Sequence, residues 1–161
     1  MRDLEAVDTV GVVGAGTMGN GIAQVAATAG YDVVMRDIER EYVDSGLENI
    51  ESSLSRLVES DELTESEADD VRDRIEGTTD LADLASCDLV VEAAVENMDI
   101  KQDIFADLDS VVDDDVVLAT NTSTLSITTI ASATERPELV VGVHFMNPVP
   151  VMKGVEVVVG E

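Results

Sequence analysis

The chain has 161 residues, 45% of them hydrophobic, and carries 35 Asp and Glu against nine Lys and Arg, a formal charge of −26. That length supports one soluble domain with a real core, and the charge repels nucleic acid and anionic membrane surfaces, whose binding needs clustered Lys and Arg. No apolar run is long enough to span a bilayer, Met1 to Glu5 lacks the basic-then-apolar order of a signal peptide, and the single Cys87 permits neither an internal disulfide nor a Cys-rich metal site.

In chain order, Val7–Val13 is an apolar run ending in a glycine-rich turn, the pattern of a buried parallel strand. Gly19–Ala29 reads as a helix stopped by a glycine at Gly30, and Tyr31–Asp37 as the second strand. From Glu39 to Glu76 apolar residues recur at helical spacing, from Val43 and Leu47 through Leu54 to Val71 and Ile75, with a break at Glu59–Thr64. Thr64 and Glu67 have the spacing of a capping box for the second of these two helices. Asp88–Ala93 is a strand, Met98–Val111 a helix, and Val116–Thr120 a strand. Thr122–Ala133 holds a Ser/Thr-rich loop and a short helix. Leu139–Val143 and Val155–Val159 are two further strands, separated by the proline loop Asn147–Pro150. Strands alternating with helices predict an α/β fold, a Rossmann-type doubly wound and mostly parallel sheet with a helix pair inserted after the second strand.

The acidic residues recur between apolar segments, as at Asp61-Glu62, Asp69-Asp70 and Asp113-Asp114-Asp115. Twenty-six valines and a mean hydropathy of +0.12 argue against disorder. Only Lys101 and Lys153 are lysines. Such a surface is that of a halophilic protein, in which self-repulsion is screened over roughly 3 Å at 1 M salt. A reducing, cytoplasmic location is expected.

Gly14-Ala15-Gly16-Thr17-Met18-Gly19 matches G-x-G-x-x-G between a predicted strand and a predicted helix. Gly14 suits the tight turn, Gly16 the approach of backbone N–H groups to a pyrophosphate, and Gly19 the close packing of helix on strand. The helix N-terminus, with Thr17 and Met18, offers N–H groups and a positive dipole end to the anion. Asp37, 23 residues after Gly14, can accept both hydroxyls of an adenosine ribose and repels a 2′-phosphate, so NAD is expected over NADP. Arg36 and Arg40 lie close enough to weigh against that preference. There is no G-x-x-x-x-G-K-[ST] for a P-loop, no Tyr-x-x-x-Lys of a short-chain dehydrogenase, and no cysteine set for a zinc alcohol dehydrogenase.

His144, the only histidine, falls at the end of a predicted strand, where open α/β sheets place their ligands. Imidazole titrates near ~6.5 and suits the removal of an alcohol proton at neutral pH. Glu156, twelve residues later on the returning strand, can hold the second ring nitrogen.

The segment Gly142–Glu156, with His144, Asn147, Pro148, Pro150 and Glu156, resembles the active-site segment of L-3-hydroxyacyl-CoA dehydrogenases. Val90–Asn97 and Thr120–Leu125 resemble that family in the same order, so the resemblance covers nearly the whole chain. It implies oxidation of (S)-3-hydroxyacyl-CoA to 3-oxoacyl-CoA with NAD, as in fatty-acid β-oxidation or butanoate metabolism. His144 would be the general base, Glu156 its partner, and Ser123 the hydroxyl on the substrate's 3-oxygen. Asn147 belongs to the active-site loop, and Glu96 and Lys101 lie near the nicotinamide ribose. The resemblance also implies a helical substrate-binding and dimerisation domain beyond residues 1–161. Two departures stand out. Ser123-Thr124 replaces a common serine pair, and Gly154 replaces a bulkier apolar residue, an exchange expected to loosen the strand that carries Glu156. Without the resemblance, Glu92 and Lys101 read as surface charges and Ser123 as a helix N-cap. The rival functions are an NAD-binding module without turnover and a sugar-acid dehydrogenase on the same scaffold.

Overall fold

The computed structural model describes residues 1–161, the side chain of Leu4 excepted. The elements run β1 (Thr9–Val13), α1 (Thr17–Thr28), β2 (Asp32–Arg36), α2 (Arg40–Glu59), α3 (Glu65–Asp73) and β3 (Ile75–Thr78). After a 3₁₀ turn at Leu81–Ser86 come β4 (Leu89–Glu92), α4 (Met98–Val111), β5 (Val117–Thr120), α5 (Ile127–Ala131), β6 (Val140–Phe145) and β7 (Val155–Val159). One seven-stranded sheet has the order β3-β2-β1-β4-β5-β6-β7. The first six strands are parallel, and β7 returns antiparallel to β6. The strand order reverses between β1 and β4, where such sheets leave a crevice at their carboxyl ends.

Alternation along the strands divides the core into two layers. Val12, Val91 and Ala119 join Ile22, Ala23, Ile50, Leu54 and Val71 on the face covered by α1, α2 and α3. Val13, Val90 and Leu118 join Leu84, Phe105, Leu108 and Ile130 on the other face, under α4 and α5. Helix α2 buries Val43, Gly46, Ile50 and Leu54, one stripe at three- and four-residue spacing. Among the described residues no helix is long and apolar enough to cross a membrane.

The helix pair after β2 is present, and Thr64 and Glu67 form the expected reciprocal capping box on α3. Gly30, at φ +102°, ends α1 as expected. The helical pattern extended to Glu76 is corrected: α3 stops at Asp73, and Ile75–Thr78 is a strand paired with β2 from Val33↔Ile75 to Arg36↔Thr78. Helix α1 begins at Thr17 rather than Gly19, so the third glycine of the motif lies in its first turn. Strand β6 runs two residues further than the sequence indicates and includes His144. After Gly154, all five residues of β7 pair with β6.

Candidate active site

The turn after β1 is shaped by contacts with its neighbours. Gly14 has φ +105°, and a Cβ there would stand 2.6 Å from the Ala93 carbonyl oxygen at the end of β4. A Cβ on Gly19 would stand 1.7 Å from the Gly14 oxygen, so α1 can start here only with glycine. Around Gly16 nothing lies within 4 Å of that position, and the space above the turn is open. Gly16 caps α1 without any side-chain hydrogen bond. The first-turn N–H groups, Thr17 and Met18 included, therefore stay available to an anion. An open cradle of N–H groups over glycine fits a pyrophosphate.

Asp37 lies one residue beyond β2. Its Oδ2 accepts the N–H of Ala15 at 2.8 Å and its Oδ1 that of Ile38 at 2.7 Å, which ties the acid to the glycine turn. The two arginines beside it are engaged elsewhere. Arg40 pairs with Asp44 at 2.8 Å, and Arg36 donates to the Thr79 carbonyl at 3.2 Å. Gly46 of α2, which carries no signal in the sequence, lets that helix approach: a Cβ there would stand 2.7 Å from the Ala15 oxygen.

The start of α1 and the chain at the ends of β4, β5 and β6 enclose a cleft of about 320 Å³ lined by Met18, Glu96, Lys101, Ser123, His144 and Asn147, among others. His144 stands directly opposite Glu156 in the β6–β7 register. Cross-strand neighbours on one sheet face have Cβ atoms about 4.5–5.5 Å apart. Among the described residues no hydrogen bond joins the two side chains; Glu156 is exposed and His144 half-buried. Asn121 accepts the N–H of Phe145 at 2.9 Å and so ties the tip of β6 to the end of β5. Ser123 is exposed at the rim. It is not a helix cap: Ser126 caps α5, accepting from Thr129 at 3.2 Å.

The reading of Glu92 and Lys101 as surface charges is overturned. Both are 0% exposed, and the Lys101 ammonium meets the two Glu92 oxygens at 2.9 and 2.6 Å. It also lies 3.3 Å from Oε1 of Glu96. Burial raises the Glu96 carboxyl, but the Thr122 hydroxyl at 2.7 Å and the Lys101 charge outweigh it and hold the group below the usual carboxylate range. A second cleft, of about 580 Å³, lies between α1, α2 and the proline loop. It shares Asn147 with the first and has Arg56 on its wall.

A glycine turn at the switch point of a parallel sheet, with an acid closing the next strand, defines a Rossmann-type dinucleotide-binding domain. The chain belongs to the family described as 3-hydroxyacyl-CoA dehydrogenase, NAD binding domain, whose model matches residues 9–161. It is 53% identical to a probable 3-hydroxybutyryl-CoA dehydrogenase of Deinococcus radiodurans over 93% of this chain and 54% of that protein. The crystal structure of (S)-3-hydroxybutyryl-CoA dehydrogenase from Ralstonia eutropha superposes with a TM-score of 0.94 at 47% identity, covering 96% of this chain and 55% of that one. FadB2 of Mycobacterium tuberculosis gives 0.93 at 46% identity, over 97% and 56%. The chain thus spans about half the length of the curated relatives it matches.

Proposed function

We propose that this chain is the NAD-binding half of an enzyme that oxidises (S)-3-hydroxyacyl-CoA to 3-oxoacyl-CoA. The observation that carries the reading is His144, the cross-strand neighbour of Glu156, on the wall of a cleft that also holds Ser123 and Met18 of the glycine turn. Bound NAD supplies the acceptor for the hydride leaving C3 of the substrate. The N–H groups of Gly16 to Gly19 hold its pyrophosphate, Asp37 accepts the hydroxyls of the adenosine ribose, and Glu96 faces the nicotinamide half. Arg36 and Arg40, already engaged, offer no ready site for a 2′-phosphate.

His144 takes the proton of the 3-hydroxyl, and Glu156, its neighbour across the β6–β7 pair, offsets the charge that develops on the imidazolium. Ser123 donates to the same oxygen as it becomes a carbonyl, a placement worth most where water is excluded. Asn147, on the wall of both clefts, joins the reacting carbon to the larger one. There the acyl-CoA arm finds room, and Arg56 forms no ion pair among the described residues that would compete for its phosphates. The exposure of Glu156 and Ser123 leaves this rim open to water. A helical domain in the remainder of the enzyme closes it and makes a homodimer contact, so residues 1–161 alone bind NAD with little turnover.

The test joins residues 1–161 to the C-terminal half of the D. radiodurans relative and assays acetoacetyl-CoA with NADH in high salt. The chimera turns over, the isolated chain binds NADH with little turnover, and His144→Gln in the chimera stops turnover while NADH affinity holds. Near-normal kcat with His144→Gln removes the base. A chimera that binds NADH but reduces nothing favours a binding module.

A further inference from the structure

Two arginines flank Asp37, and they are held in different ways. Arg36, at the end of β2, donates to the neutral Thr79 carbonyl and pairs with no acid among the described residues. Arg40 opens α2, three residues beyond Asp37. Its Nε donates to Oδ1 of Asp44 at 2.8 Å, and its Nη1 donates to the Gly77 carbonyl of β3 at 3.2 Å. Among the described residues Asp44 is its only ion-pair partner.

Asp44 and Arg40 are spaced i,i+4, with side chains 54% and 59% exposed, and a pair so exposed adds little to stability. Its effect is on charge and direction. The acid lies one helical turn further along α2, so it draws the guanidinium away from the chain end that carries Asp37. It also offsets the positive charge that a phosphate would seek. At molar salt the screening length is roughly 3 Å, so a contact of 2.8 Å persists where longer-range repulsion is screened. Glu39 and Glu41, also exposed at this turn, form no ion pair with Arg40 among the described residues.

We infer that Asp44 is a specificity-determining residue of the cofactor site: by pairing with Arg40 it denies that guanidinium to a 2′-phosphate. This rests on the reading of Asp37 as acceptor for the adenosine ribose hydroxyls. Discrimination then has two parts. Asp37 repels the phosphate directly, and Asp44, without touching the cofactor, withholds a counter-ion from it.

The experiment titrates the 161-residue chain in molar KCl with NADH and with NADPH. The parent, Asp44→Ala, Arg40→Ala and the double variant form a cycle that isolates the pair. Both positions are exposed on a helix, where alanine is well tolerated, and melts confirm the fold of each variant. Asp44→Ala is expected to strengthen NADPH by about fivefold while NADH stays within about twofold. Arg40→Ala leaves both cofactors within about twofold of the parent, and the double variant loses the NADPH gain. Parent-like NADPH affinity in Asp44→Ala overturns the inference. So does a gain that survives in the double variant, which would report the loss of a repelling charge alone, or an equal gain for NADH. A loss of NADPH affinity in Arg40→Ala overturns it too, because the arginine would then already reach the phosphate. An Asp37→Ala chain that loses NADH and NADPH affinity equally defeats the reading of Asp37 itself, a result distinct from these.

Discussion

Two glycines three residues apart in the turn after β1 answer to different neighbours. Gly19 has the Gly14 carbonyl where a side chain would go, whereas Gly16 has open space. Gly19→Ala must therefore break the turn itself, lowering the melting temperature and NADH affinity together. Gly16→Ala, at φ −69°, leaves the melting temperature unchanged and weakens NADH by about tenfold or more, because its methyl occupies the pyrophosphate's space. Circular-dichroism melts beside NADH titration separate the two; a Gly16 variant with parent-like affinity would show that the open space is not the anion's. The motif was legible because each of its positions answers to a backbone constraint. The Glu92–Lys101 pair was not, because a sequence shows charge but not burial. One signal was present: Glu92 closes the apolar strand Leu89-Val90-Val91, an expensive place for an acid without a partner.

At the scale of elements, the valine-rich strands and the α2 stripe were readable from periodicity alone. Strand β3 was not, since Val71 and Ile75 continue the helical spacing of α3 and the strand itself holds Glu76 and Gly77. Its conformation comes from pairing with β2, and Gly77 is needed because Val43 of α2 would stand 2.5 Å from a Cβ there. Tertiary contact overrides local preference in such cases. The end of β6 is illegible for a related reason: Asn121, distant in sequence, holds Phe145 in line. At Gly154, just before β7, a Cβ would have Met146 Cγ as its nearest neighbour, 3.9 Å away, and the backbone there needs no glycine conformation. Gly154→Ala should stabilise the domain by about 0.4–1 kcal/mol, by restricting the unfolded chain. Urea unfolding checks this, and a lower midpoint would mean that the loop needs its freedom.

For the molecule as a whole, charge is the dominant quantity. Arg2 meets Asp88, Asp113 and Asp115, and Arg72 meets Glu51, Glu65 and Asp69, so these two cations are each shared among several acids. Most carboxylates still have no cation beside them, and their repulsion opposes the compact state in dilute buffer. Raising KCl from about 0.1 M to about 2 M shortens the screening length to a few ångströms and should raise the melting temperature, each ~1 kcal/mol recovered being worth roughly 2–4 °C at this size. A melting temperature indifferent to salt would remove the halophilic reading. The burial of Lys101 has a further consequence for the chemistry of this surface. With only two lysines in the chain, amine-directed reagents meet just the amino terminus and the exposed Lys153. A fluorophore attached there sits three residues from Glu156 and would sense, without any engineered cysteine, whatever comes to rest against the open rim.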